Sequence, residues 1–224
     1  MKNMLLTISA LITVLSYGQD ISTLTEKAEK GNADAQFDLA FAYFEGTGVA
    51  QSYEKAVYWW IKSAELGNAH AQLNLGSAYY QGVGVAQSYQ QGIYWWKKSA
   101  EQDNTYAQLN LGDAYKKGKG VEQSNTEALF WYQKSAELGN AHAQLNLGNA
   151  YYQGVGVAQS YQQAVYWYQK SAGQGNAEAQ FYLALAYRDG KGVKQSAEKA
   201  IEWLIEACEE GQLEQACEFL NKMK

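Results

Sequence analysis

Side chains that could serve as nucleophiles or bases recur at regular positions in the sequence. Ser52 and Ser196 are each followed three residues later by a lysine, Lys55 and Lys199, a spacing that suits a serine activated by a lysine base. Three similar segments elsewhere in the chain carry Gln or Glu in place of the lysine. Since Ser is also a preferred helix N-cap, we expect these serines to cap helices rather than to catalyse a reaction.

The other candidate residues also lack the partners that a metal site or a phosphate-binding site needs. His70 and His142 occupy equivalent positions two sequence repeats apart, so they cannot chelate one zinc ion together. The G-x-G pairs are preceded by helical patterns and not by a strand, and they have no lysine in the register of a phosphate-binding loop. We therefore expect no catalytic residue, no metal site and no cofactor.

A repeat of 36 residues positions all of these side chains. The segment from Gly139 to Ala172 occurs almost unchanged at Gly67 to Ala100. A glycine or aspartate marks each period, at Gly31, Gly67, Asp103, Gly139, Gly175 and Gly211. Repetition at this length indicates a solenoid, in which one supersecondary unit cannot bury its apolar face alone.

Each period reads as a helical hairpin. Ala143, Leu147, Ala150 and Tyr151 share one helical face, and Gly154 supplies a left-handed residue that ends the helix. Ser160 is placed to cap the second helix, and Gln163 would complete a capping box; Ser88 with Gln91 and Ser124 with Glu127 repeat the pair. The pattern predicts helices near residues 20–30, 32–45 and 52–66, the last two recurring every 36 residues.

Small and aromatic residues indicate close packing between the two helices. One position of the first helix is always Ala or Gly: Ala40, Gly76, Gly112, Gly148 and Ala184. The tryptophans fall on the second helix: Trp59, Trp60, Trp95, Trp96, Trp131, Trp167 and Trp203. We expect these tryptophans to form core and not a ligand cage.

The frame A-Q-x-x-L-G-x-x-Y-x-x-G-x-G-V, followed by a capping Ser and the cluster A-x-x-W-Y-x-K-S-A, closely resembles the Sel-one-like repeat (SLR), a relative of the tetratricopeptide repeat. The chain departs from that family in having no proline after the G-x-G-V loop. The resemblance implies an all-α fold, an α-solenoid with a right-handed superhelix. We divide the chain into a capping helix at 19–30, five repeats at 31–66, 67–102, 103–138, 139–174 and 175–210, and a capping helix at 211–224.

Residues 1–18 have the pattern of a secretory signal peptide, with one lysine, a short apolar run and small residues before Gln19. The run is too short for a membrane span, so we expect a periplasmic or secreted protein that is not integral to a membrane after cleavage. The net charge of -5 and the few lysines and arginines argue against nucleic-acid binding.

The two cysteines, Cys208 and Cys217, lie nine residues apart across the Gly211 turn. Their spacing resembles the pairs that staple adjacent helices in the cysteine-rich secreted branch of the family, with one residue more between them. Together with an export signal, this resemblance implies a disulfide; two small buried thiols are the alternative.

The face of the first helix that points away from Ala35, Leu39 and Tyr43 varies most between repeats, and the resemblance places it on the concave groove. There we expect exposed Phe, Leu and Tyr beside amides, a composition typical of interfaces. Asn74, Asn110 and Asn146 occupy one position and could clamp an extended peptide backbone, although duplication of a harmless surface Asn would give the same pattern. The predicted groove residues are Phe44, Asn74, Tyr80, Asn110, Asp113, Asn146, Tyr152 and Tyr182.

The preferred interpretation is an exported, non-catalytic adaptor that binds a protein or peptide in this groove. Two alternatives remain at this stage. One is a weak binder or hydrolase of penicillin-like or cell-wall substrates, an activity linked to some cysteine-rich relatives; it is disfavoured by the single Cys pair and by the lack of a nucleophile with a base. The other is a structural role through end-to-end stacking of solenoids.

Overall fold

The regular elements are all helices in the computed structural model, which describes residues 21–223. The predicted signal peptide lies outside the described residues. The helices are α1 (Ile21–Glu29), α2 (Ala33–Glu45), α3 (Tyr53–Glu65), α4 (Ala69–Gln81), α5 (Tyr89–Ala100), α6 (Thr105–Lys117), α7 (Asn125–Glu137), α8 (Ala141–Gln153), α9 (Tyr161–Ala172), α10 (Ala177–Asp189), α11 (Ala197–Ile205) and α12 (Glu214–Met223). The predicted helical hairpins and their 36-residue interval are confirmed.

Capping residues fix where the first helix of each hairpin begins and ends. In α8, the side chain of Asn140 accepts a hydrogen bond from the backbone N–H of Ala143, and Gly154 follows the helix at φ 72°. The same pair of caps encloses α2, α4 and α10. Asp103, which marks the period that lacks the glycine, stands in the left-handed region at φ 59°, a region that Asp tolerates better than most residues.

The second helix of each hairpin begins at a serine, as expected, but the predicted capping box is only half formed. Ser160 Oγ accepts from the backbone N–H of Gln163. The backbone N–H of Ser160 donates to the carbonyl of Tyr151 at 2.9 Å, so the Gln163 side chain is not needed there. Because Tyr151 lies near the end of α8, this bond joins the two helices of one repeat.

The chain divides into two compact units. The first unit contains the described residues up to Ala107 together with Gly118–Glu122. The second unit contains Gln108–Lys117 and the described residues from Gln123 onward.

Each unit has an apolar core, and hydrogen bonds recur beside it at equivalent positions of the repeats. In the first unit, Trp60, Val57 and Leu75 are buried together, and Ser63 Oγ donates to the Ala33 carbonyl at 2.7 Å. In the second unit, Tyr168 and Leu183 are core residues. Ser99 and Ser171 donate to Ala69 and Ala141 at the same distance. Each of these serines lies on the second helix of a repeat and donates to a carbonyl in the first turn of the first helix, so the bond joins the two helices of that repeat.

Buried glutamines of α2, α4, α8 and α10 each donate a hydrogen bond to a carbonyl of the preceding helix. Gln72 donates to the Ala64 carbonyl, and its Oε1 accepts from Gln102 Nε2 at 2.8 Å. The first repeat has Leu66 in the position of Gln102, with 57% of its surface exposed. As a result, Gln36 Oε1 is buried with no hydrogen-bond partner among the described residues.

The small residue in each first helix allows an aromatic ring to lie directly on the backbone. A Cβ atom on Gly148 would lie 2.6 Å from two ring carbons of Tyr168, and Gly76 and Gly112 face Trp96 and Tyr132 in the same way. The prediction of unusually close helix packing is confirmed for these three glycines.

The C-terminal end is closed by a disulfide. After α11, residues Glu206–Glu210 form one π-helical turn, and Cys208 in that turn is bonded to Cys217 in α12, with the two Cα atoms 4.8 Å apart. The predicted disulfide is therefore present. Leu220 on α12 packs with Phe181 and Leu204, so the last helix covers the core of the second unit.

Candidate functional site

The serines with a lysine three residues later are helix caps. Ser52 Oγ accepts from the backbone N–H of Lys55, and Ser196 Oγ accepts from that of Lys199. The ammonium group of Lys55 lies over the Tyr43 ring, 5.1 Å from its centre. That of Lys199 lies over the Tyr187 ring, 5.3 Å from its centre. Neither lysine is placed as a base for its serine.

The two histidines are surface residues. His70 and His142 are both exposed, and the described residues contain no group of three His, Cys, Asp or Glu side chains that could hold a metal ion. The His70 ring lies 5.9 Å from that of Phe37.

Three of the predicted groove residues anchor the end of the first helix to the start of the second. Phe44 packs against Tyr53 and Trp60 with ring centres 5.3 and 5.5 Å apart, and all three lie in the first unit. Tyr80 packs in the same way on Tyr89 and Trp96. In the second unit, Tyr152 lies against Tyr161 and accepts a hydrogen bond from Lys191 Nζ at 3.1 Å. These aromatic side chains are half-buried, so each one retains an accessible edge.

The asparagines at the predicted binding position differ in exposure. Asn74 is buried at 4% exposure, whereas Asn110 and Asn146 are half-buried. Asn146 also lines a small pocket in the second unit. The other polar residues of that pocket are Lys116, Asn125, Tyr132, Asn149 and Gln153.

Residues one turn further along the first helix hydrogen-bond to the second helix. Tyr132 donates from its hydroxyl to Asp113 Oδ1 at 2.6 Å, and Tyr168 donates to Asn149 Oδ1 at 2.8 Å. Burial, followed by the charge of Asp113 and its hydrogen bond, raises the pKa of Tyr132 well above the ordinary value. Lys117 Nζ lies 3.6 Å from the other oxygen of Asp113. Asp113, one of the predicted groove residues, thus also holds a core tyrosine.

Tyr182 is the most exposed of the predicted groove residues, at 39%. Its ring is stacked on that of Tyr168, with centres 5.5 Å apart and an angle of 21° between the planes. The buried ring fixes the orientation of the exposed one.

The expectation of exposed Phe and Leu on this face is wrong at four positions. Phe37, Leu73, Leu145 and Phe181 are between 3% and 9% exposed. The first helix is covered on more than one side, because it packs both against its own second helix and against helices of neighbouring repeats. The apolar part of the candidate surface is therefore limited to the half-exposed aromatic residues.

A repeated glutamine was missed by the sequence analysis. Gln51, Gln87 and Gln159, which precede the capping serines, donate from Nε2 to the carbonyls of Phe44, Tyr80 and Tyr152 at 2.8 to 3.0 Å. The constant Gln-Ser pair in all five loops is the signal that could have revealed this bond. It fixes the backbone of the same residues whose side chains form the candidate surface.

Comparison with known proteins gives one family and a consistent fold. The model of the Sel1 repeat matches residues 33–68, 69–104, 105–140, 141–176 and 177–212. Among curated proteins, none matches the sequence. None of the helices in residues 21–223 is long and apolar enough to cross a membrane.

Solved structures of SLR proteins are similar to this chain. A Sel1 repeat protein from Oxalobacter formigenes is 33% identical, with a TM-score of 0.80 over 89% of this chain and 80% of that one. A protective antigen of uropathogenic Escherichia coli that displays an SLR fold is 31% identical, with a TM-score of 0.77. That match covers 92% of this chain but only 52% of the antigen. A Sel1 repeat protein from Klebsiella pneumoniae is 22% identical with a TM-score of 0.55, which shows the fold alone.

Proposed function

Because the chain belongs to the Sel1 repeat family, whose members generally mediate protein–protein interactions on a scaffold that is generally non-enzymatic, we propose that it is an exported adaptor. It binds a protein or peptide along the exposed edges of its first helices. The observation that carries the proposal is the set of half-buried aromatic residues and amides on those helices, held in place by repeated hydrogen bonds.

The geometry in the second unit suits an extended peptide. Asn110 and Asn146 are half-buried at equivalent positions of α6 and α8, and each amide offers both a donor and an acceptor to a peptide bond. Tyr152 and Tyr182 supply apolar area with a hydroxyl at the edge. The pocket beside Asn146 would take a small side chain of the ligand.

Export is supported by the Cys208–Cys217 disulfide, since structural disulfides persist mainly in oxidising compartments. The predicted removal of residues 1–18 is a separate part of the proposal. The intact mass of the protein recovered from outside the cytoplasm of its native cell should correspond to a chain that begins at Gln19. A mass that retains Met1 would contradict export by a cleaved signal.

Selection of linear peptides from a displayed library tests the binding mode. We expect peptides selected on the wild-type protein to lose about 1–3 kcal/mol of binding free energy to a variant with Asn110→Ala and Asn146→Ala, because the peptide bonds lose their partners. A matched variant, Gln90→Ala with Gln162→Ala, removes two exposed amides from second helices and should bind as wild type.

Thermal stability separates binding from folding in the same experiment. The asparagine variant should melt within a few degrees of wild type, since Ala is the better helix former. Equal peptide affinity of the asparagine variant and wild type would remove Asn110 and Asn146 from the site and favour simple duplication of a surface residue.

A further inference from the structure

Four of the five second helices expose a large aromatic residue at the same position. Tyr58, Tyr94, Phe130 and Tyr166 are 46–52% exposed, among the most exposed large apolar residues that the structure describes. Each ring stands edge-on to the neighbouring tryptophan of its own helix, with centres 5.0 or 5.1 Å apart. Each tryptophan therefore fixes the orientation of an exposed ring.

A lysine one turn later accompanies every one of these rings. The ammonium groups lie 5.0 to 5.3 Å from the ring centres. We call these sets the ring–lysine pairs: Tyr58 with Lys62, Tyr94 with Lys98, Phe130 with Lys134, and Tyr166 with Lys170. The first two pairs lie in the first unit, and the last two lie in the second unit.

The fifth repeat shows that the fold does not require these pairs. At the same two positions it has Glu202, which is exposed, and Glu206. The helix nevertheless forms from Ala197 and packs its buried face on α10. An aromatic residue and a lysine at these positions therefore serve the surface and not the core.

The lysine of each pair is part of the repeat frame A-x-x-W-Y-x-K-S-A, but copying of that frame does not account for the aromatic residue. The third repeat has diverged from the second and fourth at exposed positions of the same helix, with Thr126 and Glu127 where the others have glutamine. It nevertheless retains an aromatic residue at position 130 and a lysine at 134. The chemistry of the pair is kept while neighbouring surface residues change.

We propose that the ring–lysine pairs bind an anionic polysaccharide. The apolar face of a sugar ring stacks on each exposed aromatic side chain, and an acidic group of the polymer pairs with the adjacent ammonium. The choice of an anion follows from charge: although the chain as a whole carries a net charge of -5, each exposed ring has a lysine ammonium group over it. Two equivalent pairs in each unit suit a ligand that repeats its own chemistry, because two weak contacts on one polymer reinforce each other.

The shape of the surface favours a sugar over a peptide. The backbone of a second helix is bonded within the helix, so it offers no donors or acceptors to a peptide chain. The rings are about half exposed on the surface of the second helices, whereas an apolar peptide side chain needs a pocket to be desolvated. A flat sugar ring gains contact by lying on a protruding aromatic face.

Binding to immobilised polymers tests the proposal with the full mature chain. The probes are polygalacturonate and dextran sulfate as anionic polysaccharides, unmodified dextran as the neutral one, and poly-L-glutamate as an anion without sugar rings. We expect at least one anionic polysaccharide to bind about tenfold more tightly than dextran or poly-L-glutamate, and to bind more weakly as salt is raised. The polymer that binds identifies the acidic group as carboxylate or sulfate.

Two variants and a control assign the binding to the pairs. Replacing the four rings by serine, or the four lysines by glutamine, should each lower the affinity about tenfold. The control carries Lys30→Gln, Lys119→Gln, Lys194→Gln and Lys222→Gln, which remove the same charge from exposed positions outside the pairs, and it should bind like wild type. Circular dichroism at the assay temperature checks that each variant is folded.

Three outcomes would overturn the proposal: no binding of either anionic polysaccharide, equal binding of poly-L-glutamate, or binding that survives loss of the four rings. The result is independent of the peptide site. The variant with Asn110→Ala and Asn146→Ala should keep its affinity for the polysaccharide, and the ring variant should keep its affinity for selected peptides.

Discussion

Replacing Gly148 by alanine tests how closely the two helices of the fourth repeat pack. A Cβ atom at this position lies 2.6 Å from Cδ1 and Cε1 of Tyr168, closer than real side chains approach one another. The tyrosine is 1% exposed, and its hydroxyl donates to Asn149 Oδ1 at 2.8 Å. The ring therefore cannot move away from a new methyl group without disturbing this bond and the stacking on Tyr182.

The expected loss of stability is the balance of two destabilising effects and one stabilising effect. Overpacking of a core costs about 1–3 kcal/mol, and a weakened tyrosine hydrogen bond costs about 1 kcal/mol more. Alanine is better than glycine inside a helix by about 1 kcal/mol. We expect Gly148→Ala to lower the free energy of unfolding by about 1–3 kcal/mol.

Urea unfolding followed by far-ultraviolet circular dichroism measures the effect, and Gly173→Ala is the matched control. Gly173 has helical backbone angles, with φ -64° and ψ -11°, and a Cβ there meets only the carbonyl oxygens of Gln169 at 3.3 Å and Lys170 at 3.9 Å. Without a ring in the way, the control should gain about 0.4–1 kcal/mol through the lower entropy of the unfolded chain. The two substitutions should therefore shift the urea midpoint in opposite directions.

A second change should rescue the first. The fifth repeat combines Ala184 with Leu204 at the positions of Gly148 and Tyr168. In a double-mutant cycle, Tyr168→Leu should thus reduce the cost of Gly148→Ala. The reasoning would be refuted if Gly148→Ala stabilised the protein as the control does, or if the two changes were additive.

Three further predictions concern single features of the packing. Leu66→Gln supplies a donor to the buried Gln36 Oε1, so the free energy of unfolding should rise by about 0.5–1.5 kcal/mol. A decrease would contradict the placement of residue 66 at the position of Gln102. Reduction of Cys208–Cys217 should destabilise the last helix by about 2.5 kcal/mol on the chain-entropy estimate; unchanged hydrogen exchange in that helix would argue against this role. The pKa of Tyr132 in the folded protein is raised above its ordinary value of 10.0. The stability that this shift contributes is complete below pH 10.0 and is lost as pH rises towards the folded-state pKa. We therefore expect the Tyr132→Phe variant to be less stable than wild type at pH 7 but to lose less stability as the pH is raised. Parallel curves of stability against pH for the two proteins would disprove this role of Tyr132.

The sequence alone determined the helices, their ends and their interval. Helix formation depends on periodicity and on caps within a few residues, so Asn140, Gly154 and Ser160 were sufficient to place the boundaries of the fourth repeat. The constant small residue at Gly148 likewise predicted close packing without any structure. All of these signals are local, and the repeat presents each of them several times.

Only the tertiary structure decided which side chains are exposed. Phe37 and Leu73 lie on the variable face of the first helix, yet they are buried because helices from adjacent repeats cover them. Tyr58 and Tyr94 lie on second helices rich in core aromatics, yet about half of each side chain is exposed. Burial depends on which elements surround a helix, and helical periodicity within one sequence segment does not contain that information.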